Sequence, residues 1–299
     1  MVILLALPGL SRAASVSLLP DADATLIEYV PANGAGGADF FTAGTTQNRS
    51  RNRALLRYPI ASALPSNAVI AGASLTLQVI RNSSTQSPAS VFGLHRVLRD
   101  WGEGSTLPDY TLGGGGGAWG APATTNDATW MDRFAYTTNT WASPGGAAGV
   151  DYVPAFSSSV IVELTGSYLF ESTLDMTADA QRWHDHPEQN FGWMLLSESE
   201  ATPFTARKFG SRENPGIEPV LVVDYLLRPQ LVALATATNT AAIQFSTGPG
   251  QTCILERSLR LPATNWISVL TIAPPGQTTN IIVTDPIVSG AQFYRVRTY

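Results

Sequence analysis

The sequence is poor in cysteine, lysine and histidine. Cys253 is the only cysteine among 299 residues, so no intramolecular disulfide can form and core burial must hold the fold. Of the 18 basic residues only Lys208 is a lysine, and the basic residues are scattered along a chain of net charge −5. Because no basic cluster offers a surface to a nucleic-acid backbone or an anionic membrane, we expect neither nucleic acid nor a membrane as a partner.

Motifs of the common hydrolases are missing as well. The chain contains no G-x-S-x-G and no H-E-x-x-H, and three histidines leave little for zinc or Ser-His chemistry. The cluster His184-Asp185-His186 is interpreted as a polar C-terminal helical turn, since residues at i and i+2 point apart on a helix. Glycoside cleavage would need paired carboxylates, for which the formal candidates are Glu103, Asp127, Asp132, Asp151 and Glu163. Solvated loop carboxylates are the simpler interpretation, so we predict that the protein is not an enzyme.

Glycine, proline and alternating apolar residues are abundant. The 26 glycines and 20 prolines lack a Gly-X-Y period, which excludes collagen and indicates frequent turns. Apolar and polar residues alternate in Ser74–Val79, as in a half-buried strand. Further strands are predicted at Leu55–Ile60, Val91–Leu98, Ser159–Leu164, Phe191–Leu196 and Val220–Tyr225. This density of short strands predicts an all-β sandwich.

One segment has helical spacing instead. Met176, Ala180 and Trp183 fall on one helical face, and Pro187 follows them. With Asp175 as the N-cap, the pattern predicts a single short helix over Asp175–His186.

The composition divides the chain into three parts. Residues 1–14 combine an apolar run with Ala13 and Ala14, which predicts the remnant of a secretory signal, and the alternative is an apolar N-terminal strand. Residues 15–227 form the predicted sandwich, which a loop-rich stretch from Gly102 to Val153 interrupts. Residues 228–299 show six new β segments, at Leu231–Ala235, Ala241–Phe245, Cys253–Arg257, Trp266–Ile272, Ile281–Thr284 and Phe293–Arg297. We expect a secreted or cell-surface protein with a second, smaller sandwich.

An ordered series of motifs resembles DNRLRE domains over residues 21 to 226. Asn52-Arg53-Ala54-Leu55-Leu56-Arg57-Tyr58 resembles the N-R-x-L-L-R-F signature, and Trp101-Gly102-Glu103 resembles the W-x-E segment. The later motifs are Asn190-Phe191-Gly192-Trp193, Phe209-Gly210-Ser211-Arg212-Glu213 and Pro219–Tyr225, which are similar to the closing N-F-G-W…F-x-S-R-E…P-x-L-x-V-x-Y pattern.

The resemblance implies a secreted β-sandwich of jelly-roll type, used as an accessory domain in surface proteins and polysaccharide-active enzymes. Some members bind acidic polysaccharides such as alginate, and the resemblance implies no catalytic set. In residues 228–299, Phe293-Tyr294-Arg295-Val296-Arg297 resembles a motif of short fibronectin-III-like repeats of bacterial surface proteins. This second resemblance implies a smaller fibronectin-III-like β-sandwich.

Aromatic residues of the loop-rich stretch support carbohydrate binding, because pyranose rings stack their C–H faces on indole and phenol rings. The candidates are Trp101, Tyr110, Trp119 and Trp141, and for an acidic sugar Arg49 and Arg51 are added. Burial in a core is the alternative for the aromatic residues. Arg53 and Arg57 belong to the signature, and ion pairing inside the fold is the alternative for them.

If the protein holds a cofactor, the sequence indicates calcium, because hard cations take oxygen ligands from the loops of secreted sandwiches; otherwise none is expected. Asp21 and Asp23, spaced i and i+2, would lie on one face of an extended segment and are the candidate ligands. Two carboxylates supply only part of such a site, and solvated side chains are the alternative.

The function predicted from these features is a non-catalytic extracellular binding or adhesion module whose partner is a polysaccharide. The first alternative is a structural subunit of a surface layer, matrix or filament that pairs β edges with copies of itself, with Val16–Leu19 as a free donor strand. The second alternative is a polysaccharide-degrading enzyme, which requires a cleft with converging carboxylates.

Overall fold

The computed structural model describes residues 14–111, 118–237, 239–248, 250–263, 265–277, 279–288 and 291–298. The predicted signal remnant, apart from Ala14, and the run Gly113–Gly117 lie outside the described residues. The chain splits into two compact units. The larger unit contains Val16–Leu64 and Gly72–Val223, and the smaller unit contains Pro65–Ala71 and Asp224–Tyr299.

An all-β fold is confirmed, with 43% strand and 7% helix. In chain order the first elements are β1 Ala14–Leu18, β2 Ala22–Ile27, β3 Asn33–Gly34, β4 Phe40–Thr45, β5 Arg51–Arg57, α1 Ile60–Ala63, β6 Ala68–Arg81, β7 Ser90–Arg96 and β8 Ala121–Pro122. They are followed by β9 Ser158–Val162, β10 Gly166–Phe170, α2 Leu174–Asp185, β11 Trp193–Ser197, β12 Arg207–Gly210 and β13 Val220–Leu227.

Eleven of these strands form a curled antiparallel sheet in the order β1-β13-β6-β12-β4-β5-β11-β7-β9, with β10 on β6 and β2 on β5. Strands β3 and β8 pair with each other in a separate two-stranded sheet. The alternation predicted for Ser74–Val79 is present in β6, where Leu75, Leu77 and Val79 are fully buried. The segment Val16–Leu19 is not a free donor strand, because β1 already lies hydrogen-bonded beside β13.

The loop-rich stretch between β7 and β9 forms a packed layer on the sheet. Its side chains Trp101, Trp130 and Trp141 share a buried cluster with Leu55 of β5 and with alanines of β2. Two buried carboxylates organise its backbone. Asp127 accepts hydrogen bonds from the amides of Ser105 and Thr124, and Asp151 accepts from the amides of Ala142 and Ala147 at 2.8 and 2.7 Å. Both aspartates therefore stabilise the loop layer.

The described residues contain two helices where the sequence predicted one. Helix α1 is a single turn after β5, and α2 matches the predicted segment with Met176, Ala180 and Trp183 buried. The predicted N-cap was wrong. Thr173 caps α2, because its Oγ1 accepts the amide of Met176 at 3.0 Å, and Asp175 lies in the first turn. Within the described part of the chain, neither helix is long and apolar enough to cross a membrane.

The smaller unit is a sandwich of two three-stranded sheets, β14-β15-β18 and β17-β16-β19. Its strands are β14 Gln230–Ala237, β15 Thr240–Thr247, β16 Cys253–Ser258, β17 Ile267–Ile272, β18 Thr279–Pro286 and β19 Phe293–Thr298. Every one of the six predicted segments overlaps a strand. Ile243 and Phe245 of one sheet pack with Cys253 and Leu255 of the other, so Cys253 is a buried core residue, as the sequence indicated.

Candidate functional site

A cleft with a volume of about 430 Å³ lies in the larger unit, where four neighbouring strands of the curled sheet meet their connecting loops. It is lined by the end of β6, by β12, by β4, and by the turn that joins β4 to β5. Strand register places Arg81, Lys208 and Thr42 in one row, because Lys208 is paired with Arg81 of β6 and with Thr42 of β4. This volume is within the range of small-molecule sites.

An aromatic pair forms one wall of the cleft. The rings of Tyr29 and Trp119 lie 4.8 Å apart between centroids and are tilted by 36°. Asn33 Nδ2 donates to the carbonyl of Trp119 at 2.8 Å, which fixes the backbone at this point. Gly120 has φ +61°, and a Cβ there would lie 2.2 Å from the carbonyl oxygen of Gly34. Only glycine lets the chain pass this close, so the position of Trp119 depends on Gly120.

Unpartnered polar groups lie in the floor of the cleft. Thr42, Ser50 and Asn52 are only 4%, 7% and 2% exposed. Within the described residues, Thr42 Oγ1, Ser50 Oγ and Asn52 Oδ1 have no hydrogen-bond partner. Leaving a buried polar group unsatisfied costs about 1–3 kcal/mol, and such groups in native proteins need an explanation. All three residues line the cleft, which places these unpartnered groups beside any ligand bound there.

The charge of the cleft is positive although the chain is acidic overall. Among the described residues that line it, none is an aspartate or glutamate, whereas Arg81, Arg207 and Lys208 are basic. Arg207 is fully buried and donates to the carbonyl oxygens of Pro88 and Glu163, and burial lowers its pKa. The cleft therefore favours a neutral or anionic ligand.

Lys208 has an altered acidity. Burial and, to a smaller degree, the neighbouring charge of Arg81 lower its pKa to about 8, and the carboxylate of Asp39 acts in the opposite direction. Its ammonium nitrogen lies 3.6 Å from the centroid of the Phe40 ring.

The four aromatic residues predicted to bind carbohydrate differ in burial and in their position relative to the cleft. Trp119 lines the cleft. Tyr110 is 61% exposed but lies outside the lining. Trp101 and Trp141 are only 2% and 4% exposed, and their indole nitrogens donate to the carbonyls of Phe191 and Thr129. For these two tryptophans the core alternative holds, since a buried indole cannot stack on a sugar.

The arginine candidates lie outside the cleft lining. Arg49 is exposed in the β4–β5 turn with φ +67°. Arg51 pairs with Glu28, with Nε 3.0 Å from Oε1, and lies 5.2 Å from the ring centroid of Trp130. Arg53 is buried and pairs with Glu200 at 2.8 Å, so it is structural, as the alternative stated. The engagement of Arg51 with Glu28 holds its guanidinium on the loop-layer side of β5.

The two candidate calcium ligands, Asp21 and Asp23, have different partners in the structure. Asp21 pairs with Arg57 at 3.1 Å, and Asp23 is buried in a different group of carboxylates. Oxygens of Asp23, Glu103 and Glu213 lie within 4.8 Å of one another. Arg212 Nε lies 2.6 Å from Glu103 and 2.9 Å from Glu213, so an internal cation already balances part of this charge.

Burial raises the pKa of Asp23 well above its usual value, and it raises the pKa of Glu213 as well. Among the described residues, the oxygens of these three carboxylates lie close enough together to hold one metal ion, and Asp21 is not part of the group. The trio supplies three of the six to eight oxygens that calcium takes.

Several cleft residues were missed by sequence reasoning: Tyr29, Thr42, Ser50, Asn52, Arg81 and Lys208. Asn52 alone carried a signal, as the first residue of the signature, but that signature was interpreted structurally. The others are isolated polar or aromatic residues that only strand pairing brings together.

No family model matches the chain, and no curated protein matches it.

Proposed function

We propose that the protein is a non-catalytic, extracellular polysaccharide-binding module, and that acidic glycans are its ligands. The observation that carries this proposal is the cleft, in which the Tyr29–Trp119 pair stands beside three unpartnered buried polar groups. Aromatic faces with a few placed polar groups are the usual composition of a small-molecule site.

Each wall has a part in binding. The apolar face of a pyranose stacks on the tilted rings of Tyr29 and Trp119. Sugar hydroxyls reach the floor at Thr42, Ser50 and Asn52 and satisfy groups that have no partner in the described residues. A sugar carboxylate lies towards Arg81 and Lys208, since the described lining contains no acidic side chain to repel it.

The larger unit is proposed to be a DNRLRE-type domain. Two motifs of the resemblance support this assignment, because Glu103 of the W-x-E segment and Arg212 of the S-R-E segment are joined by two hydrogen bonds. Two three-stranded sheets support the proposal that the smaller unit is fibronectin-III-like.

Affinity electrophoresis of the full chain tests the proposed function. The gels contain neutral or acidic polysaccharides, with calcium or with chelator, and the same samples are assayed for new reducing ends. We expect retardation by an acidic polysaccharide, no product, and loss of retardation in Trp119→Ala. Tyr110→Ala is the matched control, because it removes an exposed aromatic ring outside the cleft.

Three outcomes would overturn the proposal. Equal retardation of Trp119→Ala and wild type would place binding elsewhere. New reducing ends would make the protein an enzyme. Absence of retardation together with concentration-dependent polymerisation would favour the structural-subunit alternative.

A further inference from the structure

The only lysine of the chain lines the cleft. Lys208 lies on β12 between Thr42 of β4 and Arg81 of β6, with its nitrogen over the ring of Phe40. Lys208 is half-buried and belongs to the lining of the cleft, so part of its hydration is removed.

This setting is the one that makes an amine nucleophilic. Partial burial and an adjacent cation disfavour the ammonium form, and both conditions are known to activate lysines for attack on carbonyl groups. The charged groups that act on Lys208 are Arg81, which lowers its pKa, and Asp39, which raises it. The net result is a pKa of about 8, so about a tenth of the amine is neutral at pH 7.

We propose that Lys208 forms a reversible imine with an anionic aldehyde bound in the cleft, such as the open-chain form of a uronic acid. The nitrogen lone pair adds to the aldehyde carbon, and proton transfer to the oxygen gives a carbinolamine. Loss of one water gives the imine, and hydrolysis reverses the sequence without any oxidant or reductant. Arg81 lies beside Lys208 in register, where it pairs with the carboxylate of the aldehyde.

This inference rests on the proposed function only for the location and charge of the ligand. A polysaccharide binds through its rings, whereas imine formation requires a free aldehyde. The two proposals can therefore fail separately.

Reductive trapping tests the imine. The full chain is incubated near neutral pH with glyoxylate, a small anionic aldehyde, and cyanoborohydride, which reduces the imine to a stable carboxymethylated amine. Peptide mapping by mass spectrometry then gives the rate at Lys208. The reference is an N-acetylated peptide of residues 203–213, in which the same lysine is fully solvated.

We expect trapping at Lys208 in the folded protein to be at least about tenfold faster than in the peptide, because each unit of lowered pKa gives about ten times more neutral amine. In Arg81→Gln, trapping by glyoxylate slows severalfold, whereas the matched control Arg49→Gln, which removes an exposed arginine outside the lining, leaves the rate unchanged. Circular dichroism verifies that both variants are folded.

A rate at Lys208 equal to that of the peptide overturns the inference. So does an equal slowing in both arginine variants, since a general loss of positive charge would then explain the effect. Trapping uses no polysaccharide, so fast trapping without gel retardation contradicts the proposed function alone.

Discussion

Arg212 and Glu103, separated by 109 positions in sequence, form a two-point ion pair with Nε 2.6 Å from Oε1 and Nη2 2.8 Å from Oε2. Glu103 Oε1 also accepts the amide of Asp23 at 2.9 Å. This one carboxylate therefore connects the start of β2, the loop layer and the segment after β12. Planar, two-point pairing is a property of arginine that lysine cannot reproduce.

Glu103→Gln is expected to lower the free energy of unfolding by about 1–2 kcal/mol, because the charge-assisted bonds to Arg212 are weakened while the shape is kept. Urea denaturation measures the change. Glu188→Gln is the control, since Glu188 is exposed and contacts only the surface side chains His186 and Gln189 among the described residues, and it should change stability by less than about 0.5 kcal/mol. Equal effects of the two substitutions would contradict the role given to Glu103.

Gly120→Ala is expected to reduce glycan binding as strongly as Trp119→Ala. The new Cβ would lie 2.2 Å from the carbonyl oxygen of Gly34, so the backbone that carries Trp119 must shift. Gly149→Ala is the matched control, because Gly149 has φ +80° but open space around its Cβ position. Both substitutions should cost about 1 kcal/mol of stability through backbone strain, Gly120→Ala should cost more because of the clash, and only Gly120→Ala should lose gel retardation. Retained binding in Gly120→Ala would show that the ring position does not matter.

Thr42→Val should weaken glycan binding without destabilising the protein. Its hydroxyl is buried and has no hydrogen-bond partner within the described residues. Replacing this hydroxyl with a methyl group of similar size therefore breaks no hydrogen bond, and it removes the penalty of about 1–3 kcal/mol for an unsatisfied buried polar group. The control is Thr25→Val, whose hydroxyl oxygen accepts the amide of Thr42 at 2.9 Å and whose loss should destabilise by about 1–2 kcal/mol. Thermal unfolding and gel retardation measure the two effects. Destabilisation by Thr42→Val would indicate that its hydroxyl is already satisfied.

Binding of an acidic polysaccharide should weaken as the pH rises through about 8. Lys208, whose pKa is lowered to about 8 chiefly by burial, carries its charge below that pH and loses it above. An exposed charge pair contributes up to about 1 kcal/mol, so affinity should fall by roughly fivefold. Lys208→Arg keeps the charge and should remove this pH dependence. Titration of retardation with pH in both proteins is the measurement, and an identical pH profile in the variant would exclude Lys208 as the cause.

Calcium, if it binds, should raise the melting temperature more at about pH 7.5 than at about pH 5.5. Burial raises the pKa values of Asp23 and Glu213, so a larger share of these carboxylates is protonated at the lower pH, and a metal must displace those protons. Chelator should remove the stabilisation. Asp23→Asn should abolish the calcium effect, whereas Asp21→Asn should not, because Asp21 pairs with Arg57. A calcium effect that depends on Asp21 would contradict this assignment.

Local sequence patterns were sufficient to predict the strands and the longer helix. The alternation of Leu75, Leu77 and Val79, the helical spacing of Met176, Ala180 and Trp183, and the six segments after residue 228 each depend on neighbours within a few positions. Periodicity of this kind depends on which face of a strand or helix is buried, and it can be recognised within a short stretch of sequence. The class of fold followed from that repetition.

The residues of the cleft could not be predicted from local sequence patterns. Trp119 and Trp141 stand in similar glycine-rich and threonine-rich surroundings, yet Trp141 is buried in the loop layer and Trp119 lines the cleft. Thr42 and Asn52 look like solvent-facing strand residues until the curled sheet and its loops cover them. Burial and strand register depend on partners far along the chain, so the alternation of residues alone determined the all-β fold, and only the tertiary structure decided which aromatic and polar side chains meet in one site.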